Sequence, residues 1–313
     1  VLTQDDLPQP FRDERLLLLV PNPAIRHPVT CFALAKDEVC FAGEAVAFVV
    51  AEDRYIAEDA AERVIIDYEP LPAASDCKVA LEPGAATAHA DLNDNIAADF
   101  PMTYGDIDAA FADAAHVIKE SFFTHRGGGH AMECRGIVAA HDPVTDSMTL
   151  WSNTQAPHML RNVYARMMGI SEGQVRVIAP PDVGGGFGPK GMYYQEQFCT
   201  AAAAQKLGRP VKWIEDRREN FIATYQERDQ YWDMEVAVDS DGKLLGTRGR
   251  LIHDSGAYMP WGIITPFISS TTVPGPYVLP AYHINLVAVF TNKVATTPVR
   301  GAGRPQAAFV MER

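Results

Sequence analysis

Positions 182–190 read Asp-Val-Gly-Gly-Gly-Phe-Gly-Pro-Lys, four glycines in five positions with one ring, Phe187, among them. A backbone without Cβ atoms can take positive φ and come close to a ligand. The run lies between a β-like stretch at 174–179 and a helix-like stretch from about 192 to 207. A glycine loop in that place can turn its N–H groups onto an anion or a polar cofactor. It is neither G-x-G-x-x-G nor G-x-x-x-x-G-K-[ST], because Gly191 follows Lys190. A glycine-rich turn made for tight packing accounts for the spacing equally well. Two other glycine segments carry arginine, at 126–130 and at 300–304. His130 and Glu133 are candidates for the wall of a site, although a lone histidine is more often structural.

Several elements must hold these loops. Residues 38–50 alternate and then turn apolar, with Gly43-Glu44 as a turn or bulge. A helix at 54–63 and a β-branched strand at 64–68, stopped by Pro70 and Pro72, complete a small βαβ-like unit. Residues 73–101, rich in Ala, Asp, Asn and Gly, predict a surface linker. Beyond it come a short helix at 106–115, a strand at 115–124, and a hairpin of 136–141 with 147–153. The apolar spacing of 154–168 predicts a helix closed by Gly169. An alanine-rich helix follows the glycine loop and stops at Gly208 and Pro210. Strands are expected at 210–216 and 230–238, the latter returning through Asp239-Ser240-Asp241-Gly242 into 244–253. The last third reads as Pro/Gly-rich loops around one strand, 284–290, then the arginine–glycine loop and a helix-forming run from Gln306.

Bulk properties narrow the function classes. The 313 residues suffice for two domains or one large α/β unit. A formal charge of −13 argues against nucleic acid or an anionic membrane surface as partner. The longest apolar runs, 45–51 and 286–290, fall far short of the ~20 residues a membrane helix needs. Five scattered cysteines without C-x-x-C fit reduced thiols in a cytoplasmic protein better than disulfides, zinc or iron–sulfur ligation.

Taken in order, the segments resemble the large subunits of the xanthine dehydrogenase and carbon monoxide dehydrogenase family, the molybdenum hydroxylases. Residues 27–72 resemble its hammerhead domain through His27-Pro28, Val39-Cys40-Phe41-Ala42-Gly43-Glu44-Ala45-Val46-Ala47, Ala51-Glu52-Asp53, 57–62 and 67–72. Gly105-Asp106-Ile107-Asp108-Ala109-Ala110-Phe111 is similar to the family's entry helix, and His130-Ala131-Met132-Glu133 to its following strand. Ser152-Asn153-Thr154-Gln155-Ala156-Pro157-His158, 182–190, 208–212, 215–219 and 300–306 resemble successive later segments. The resemblance implies an α+β chain: a hammerhead domain at 1–74 lacking its first strands, a linker at 75–103, and a first molybdopterin-binding domain at 104–313, C-terminally truncated.

The same resemblance implies roles. Gln155 is expected to donate to an oxo ligand of molybdenum. Gly185, Gly186, Phe187 and Gly188 set N–H groups beside the metal's oxygen ligands, with Phe187 stacking near substrate. Arg300 orients substrate or balances its charge, and Gly301, Ala302 and Gly303 bring backbone close to the cofactor. Arg304 braces the loop or reaches phosphates, and no side chain ligates the metal directly. The implied cofactor is molybdopterin with molybdenum, in the cytosine dinucleotide form, with iron–sulfur clusters and FAD on partner subunits. The implied reaction inserts water-derived oxygen into an aldehyde or an N-heterocycle.

Two departures bear on this. Carbon monoxide oxidisers carry cysteine and serine where this chain has Gly301-Ala302-Gly303, and purine oxidisers carry glutamate where it has Gly191. Family large subunits are also far longer, and their second half holds much of the pterin site and the general base. The chain alone is therefore expected to be inactive without a segment or partner chain supplying that half. The alternatives are a carbon monoxide dehydrogenase-like protein and a cofactor-less relative serving as an assembly or binding module.

Overall fold

The computed structural model describes residues 1–313. Its helices are α1 (Gln9–Asp13), α2 (Arg54–Ala61), α3 (Ile107–Ala112), α4 (Pro157–Met168), α5 (Gln195–Leu207), α6 (Arg217–Ala223), α7 (Ile264–Thr272) and α8 (Arg304–Glu312). Its strands are β1 (Ile96–Tyr104), β2 (His116–Thr124), β3 (Gly136–Asp142), β4 (Ser147–Ser152), β5 (Val175–Ile178), β6 (Val211–Ile214), β7 (Gln230–Val238), β8 (Leu244–Gly256) and β9 (Ala281–Phe290). They fall into two compact units that interleave along the chain. One comprises Val1–Leu17, Val29–Pro72 and Gly129–Thr224; the other comprises Leu18–Pro28, Ala73–Gly128 and Tyr225–Arg313. No helix is long and apolar enough to cross a membrane, and no disulfide joins the five cysteines.

The first unit is built on a sheet ordered β5-β4-β3-β6, in which β3 is antiparallel to β4 and β6, and β4 is parallel to β5. Helix α5 packs against β3 and β6. Ala201, Ala202, Ala203 and Ala204 are all buried, so no long side chain holds the helix off the sheet. Phe198 on α5 is fully buried against Phe11, Tyr164 and Tyr193, worth about 2–3 kcal/mol in removed apolar surface. Helices α4 and α5 each end on a left-handed glycine, Gly169 at φ 64° and Gly208 at φ 59°, where a Cβ would strain the backbone.

The second unit has a sheet ordered β1-β9-β8-β7-β2. Neighbours are antiparallel except β8 and β9, which run parallel from Gly246↔Ala281 onward. Parallel neighbours need a crossover, and residues 257–280 supply it with α7. The middle of the sheet is covered on both faces, since Leu286, Val287, Ala288, Val289 and Phe290 are buried in succession, whereas β2 at the edge is exposed along most of its length.

The hairpins, α2–α5 and both glycine stops form where periodicity predicts. Other expectations are corrected. Residues 64–68 form no strand, and Ile65 is 93% exposed; β-branched residues favour a strand only where a neighbour accepts the ladder. Residues 38–50 likewise contribute only an isolated bridge, Leu2↔Phe48, with Gly43 at φ 101° making the expected turn. Residues 130–133, read as a strand, are irregular. Residues 96–104, placed mostly in the linker, form β1 because Ala97 and Ala98 are buried beside β9. Helix α7 arises where loops were expected.

Candidate functional site

Gln155 lies between β4 and α4, on a turn whose neighbours are fixed by hydrogen bonds. Asn153 Oδ1 accepts from the Gly136 N–H at 2.9 Å, and its Nδ2 donates to the Cys134 carbonyl at 2.8 Å. Thr154 Oγ1 donates to the Lys190 carbonyl at 3.1 Å, and the Gln155 N–H donates to the same oxygen at 2.8 Å. The Gln155 side chain is then oriented by the glycine loop: the Gly188 N–H donates to Oε1 at 3.0 Å. A backbone N–H can only donate, so this bond fixes which end of the amide is oxygen. Nε2 makes no hydrogen bond within the chain, and Gln155 is exposed.

The loop itself needs its glycines. Gly185, Phe187 and Gly188 take φ of 99°, 58° and 130°, so a side chain is carried in the left-handed region at Phe187, a position costly for a bulky residue. Phe187 is 40% exposed. At Gly186 a Cβ would lie 2.5 Å from Gln155 Oε1, and at Gly184 it would lie 2.6 Å from Glu133 Cβ. The N–H groups of Gly185 and Gly186 make no hydrogen bond within the chain. With Gln155 Nε2 they form a set of unspent donors, and no acidic side chain lies at 183–190.

Two carboxylates hold the surroundings. Glu133 Oε2 accepts from Lys190 Nζ at 2.8 Å and from the Gly184 N–H at 3.0 Å. Burial pushes this carboxyl up, but Lys190, the Gly184 N–H and the Asn153 amide outweigh burial and hold it below its ordinary 4.5. Behind it Arg135 lies over the Tyr194 ring at 3.7 Å and bonds Glu196 at 3.1 Å and Glu215 at 2.5 Å. Glu215 is 2% exposed. Burial raises it, yet the charge of Arg135 and its hydrogen bonds keep the carboxyl ionised and below its ordinary value. Each carboxylate is thus paired with a cation, Glu133 with Lys190 and Glu215 with Arg135.

His130 is spent on structure. Its Nδ1 lies 3.0 Å from Asn220 Oδ1, and its ring meets Phe221 edge-on at 4.9 Å. Arg126, at the head of the other glycine segment, is likewise occupied. It bonds Asp229 at 2.7 Å and the Val294 carbonyl at 2.7 Å, and pairs with Asp254 at 3.0 Å. Gly127 forms a bridge with Glu227.

In the second unit the arginine loop has three left-handed residues in a row: Gly301 at 104°, Ala302 at 31° and Gly303 at 80°. A Cβ on Gly303 would fall 2.6 Å from the Ser269 nitrogen and 2.8 Å from the Thr265 carbonyl, so only glycine lets the loop lie on α7. Arg300 is exposed at its head, and Arg304 Nη1 reaches back to the Gly301 carbonyl at 3.4 Å. The first unit thus gathers Gln155, Gly185, Gly186, Phe187 and Gly188 in one place, and the second presents Arg300, Gly301, Ala302 and Gly303. Sequence reasoning missed the Glu133–Lys190 pair and the Arg135 network, because their partners lie 57 to 80 residues apart without a shared motif.

Comparison with known proteins identifies the family of the chain. Residues 1–72 match the aldehyde oxidase and xanthine dehydrogenase a/b hammerhead domain, and 88–313 match the molybdopterin cofactor-binding domain. The chain is 40% identical to the 6-hydroxypseudooxynicotine dehydrogenase complex subunit gamma of Paenarthrobacter nicotinovorans, over 92% of this chain and 35% of that one. It is 39% identical to the carbon monoxide dehydrogenase large chain of Afipia carboxidovorans, over 84% of this chain and 34% of that one. Among solved structures, quinoline 2-oxidoreductase from Pseudomonas putida 86 superposes with a TM-score of 0.88 at 32% identity, covering 99% of this chain and 41% of that one. The chain spans about a third of the length of these curated relatives.

Proposed function

This chain belongs to the molybdenum hydroxylase large-subunit family, and from that premise we propose that it forms one part of the molybdenum-cofactor site of a hydroxylase acting on an N-heterocycle or an aldehyde. The observation that carries the reading is the orientation of Gln155: the Gly188 N–H takes its Oε1 and leaves Nε2 as a donor. The donor set fits the group. Gln155 Nε2 and the N–H groups of Gly185 and Gly186 offer hydrogen bonds and no negative charge, which suits an oxygen-rich, anionic cofactor. When bound, the molybdenum centre supplies the oxygen delivered to carbon and takes up two electrons.

The chain's own residues orient and hold. Gln155 donates from Nε2, and its direction is fixed before anything binds, so little reorganisation accompanies the reaction. The exposed Phe187 ring offers a flat apolar face to an aromatic substrate. Arg300 balances negative charge that develops on substrate, and Gly301, Ala302 and Gly303 let backbone approach the cofactor. The Gly301-Ala302-Gly303 segment has no cysteine to hold a second metal, and Gly191 offers no carboxylate to a purine. The names of two relatives, a quinoline 2-oxidoreductase and a subunit of 6-hydroxypseudooxynicotine dehydrogenase, support ring-nitrogen substrates.

Residues 1–74 are read as the hammerhead domain and 104–313 as the first molybdopterin-binding domain, joined by 75–103. Iron–sulfur and flavin subunits, and the segment or chain completing the pterin site with the dinucleotide form of the cofactor, are the proposed partners. The test is molybdenum content, by plasma mass spectrometry, of the complex purified natively from a host that makes the cofactor. Near-stoichiometric molybdenum in that complex, with turnover that falls in Gln155→Ala, supports the reading. Metal-free complex from such a host refutes it.

A further inference from the structure

Glu133 and Lys190 lie outside the donor set, yet the geometry points to them as the positioning pair of the site: their contact fastens both ends of the glycine loop and, through the Lys190 carbonyl, sets the direction of Gln155. The inference rests on the reading of that loop as a cofactor cradle.

Three links make a closed circuit. At the front of the loop, Glu133 and Gly184 hold one another twice: the Gly184 N–H donates to Oε2 at 3.0 Å, and the Glu133 N–H donates to the Gly184 carbonyl at 3.2 Å. This approach exists because Gly184 has no Cβ, which would lie 2.6 Å from Glu133 Cβ. At the rear, Lys190 sends Nζ back to the same Oε2 at 2.8 Å. Between them, the Lys190 carbonyl receives the Gln155 N–H at 2.8 Å and Thr154 Oγ1 at 3.1 Å, while Gln155 Oε1 receives the Gly188 N–H at 3.0 Å. Gly184, Gly188 and Lys190 are therefore tied at three points, and each tie runs through Glu133 or Gln155.

The arrangement is more than a surface ion pair. The Lys190 side chain is 4% exposed although it carries a charge, and Glu133 is its one carboxylate partner. A lysine is buried this far only where its charge is matched. Glycine backbone has the most conformations to lose, so a run with Gly184, Gly185, Gly186 and Gly188 holds one shape only if something outside it does the holding. The pair does that without occupying the surface from which Gln155 Nε2 and the Gly185 and Gly186 N–H groups donate.

The test uses the complete molybdenum-containing complex with Glu133→Gln, Lys190→Met and the double variant. Glu133→Gln keeps an acceptor for the Gly184 N–H and so guards against loss of fold in Lys190→Met. Hydrogen exchange is followed on the peptide covering 183–191, with peptides from β3 and α5 as internal controls. Losing a charge-assisted link predicts about tenfold faster loop exchange in each single variant, no further gain in the double, and unchanged exchange in β3 and α5. The Mo(V) paramagnetic spectrum of both variants should shift in the direction of Gln155→Ala, a change that loss of stability alone does not produce. Loop exchange at the wild-type rate in both single variants, or additive effects in the double, overturns the inference. Faster loop exchange with molybdenum content and spectrum unchanged overturns the positioning role while the cofactor reading stands; that reading fails separately, if the wild-type complex from a cofactor-making host carries no molybdenum.

Discussion

Gly186→Ala isolates the contact between the glycine loop and Gln155. Gly186 lies outside the left-handed region, so alanine meets no backbone strain there. The new methyl carbon would sit 2.5, 2.6 and 2.9 Å from Oε1, Cδ and Cγ of Gln155, all below the closest approach of real atoms. Each of these belongs to the end of a flexible, exposed side chain, so the clash is relieved by swinging Gln155 away. That breaks the hydrogen bond from the Gly188 N–H, a loss of about 1 kcal/mol or less because water can replace it, and a Tm lower by about 2–4 °C. The functional loss is larger. An oriented donor of this kind is worth about 10²–10³-fold in turnover, and Gly186→Ala removes it without touching Gln155 chemically. Steady-state turnover of the complete complex, thermal unfolding and molybdenum content are measured on Gly186→Ala, Gln155→Ala and the double variant. The expected result is a drop of about a hundredfold in each, with no further drop in the double. Wild-type turnover in Gly186→Ala, or two losses that multiply, would refute the coupling of loop to glutamine.

Other consequences are simpler to check. Arg135→Met leaves Glu215, 2% exposed, without its cation, and denaturant unfolding should show a loss of about 3–5 kcal/mol. The Glu215 carboxyl is depressed below 4.5 in the fold. Its contribution is thus full above the unfolded value of about 4.3 and is lost as pH falls through the folded value, a loss that Glu215→Gln abolishes. His253 is 2% exposed, and burial, with Arg126 adding and Asp254 opposing, pushes it down to about 3. Stability should be full above the unfolded value near 6.5 and should decline by about 2 kcal/mol between pH 7 and 5, a slope that His253→Gln removes. Gly208→Ala, at φ 59° with nothing within 4 Å, should cost about 1 kcal/mol through backbone strain alone, and Gly208→Asn less; thermal unfolding distinguishes them.

The candidate site was legible where its chemistry is local. The glycines at 184–188 and 301–303 carry positive φ or close approaches, and such demands leave a residue type behind in the sequence. Gln155 was legible through family resemblance alone, and its orientation was not, because the Gly188 N–H that sets it lies 33 residues away. Lys190 read as a loop residue, and nothing in its neighbours announces that its ammonium is buried on Glu133. In the fold, period-2 and period-3.6 patterns found the hairpins, α4 and α5. They failed at 64–68, where the apolar β-branched run has no neighbouring strand, and at α7, where Pro266 and a run of Ser and Thr conceal a helix. Serine and threonine there donate back to carbonyls three or four residues earlier, a local substitute for the apolar stripe that pattern reading looks for.

The sheet order of the second unit imposes a timetable on synthesis. Strand β1 ends at Tyr104; the earlier chain meets it only at the Ile25↔Ala98 bridge, and β9, its one partner along the strand, begins at Ala281. At about 5–20 residues per second, a ribosome leaves the part of β1 beyond Ala98 unpaired for roughly 10–35 s. During that interval it makes the whole Gly129–Thr224 segment of the other unit, whose helices and hairpin have most of their partners already emerged. The nascent chain therefore completes its inner segment before the strands that flank it in sequence can meet. Phe100 and Met102 spend the wait on an open strand, a stretch that invites pairing with a neighbouring chain. Pro101 stands between them, and a residue with no N–H to donate makes that strand a poor template for the wrong partner.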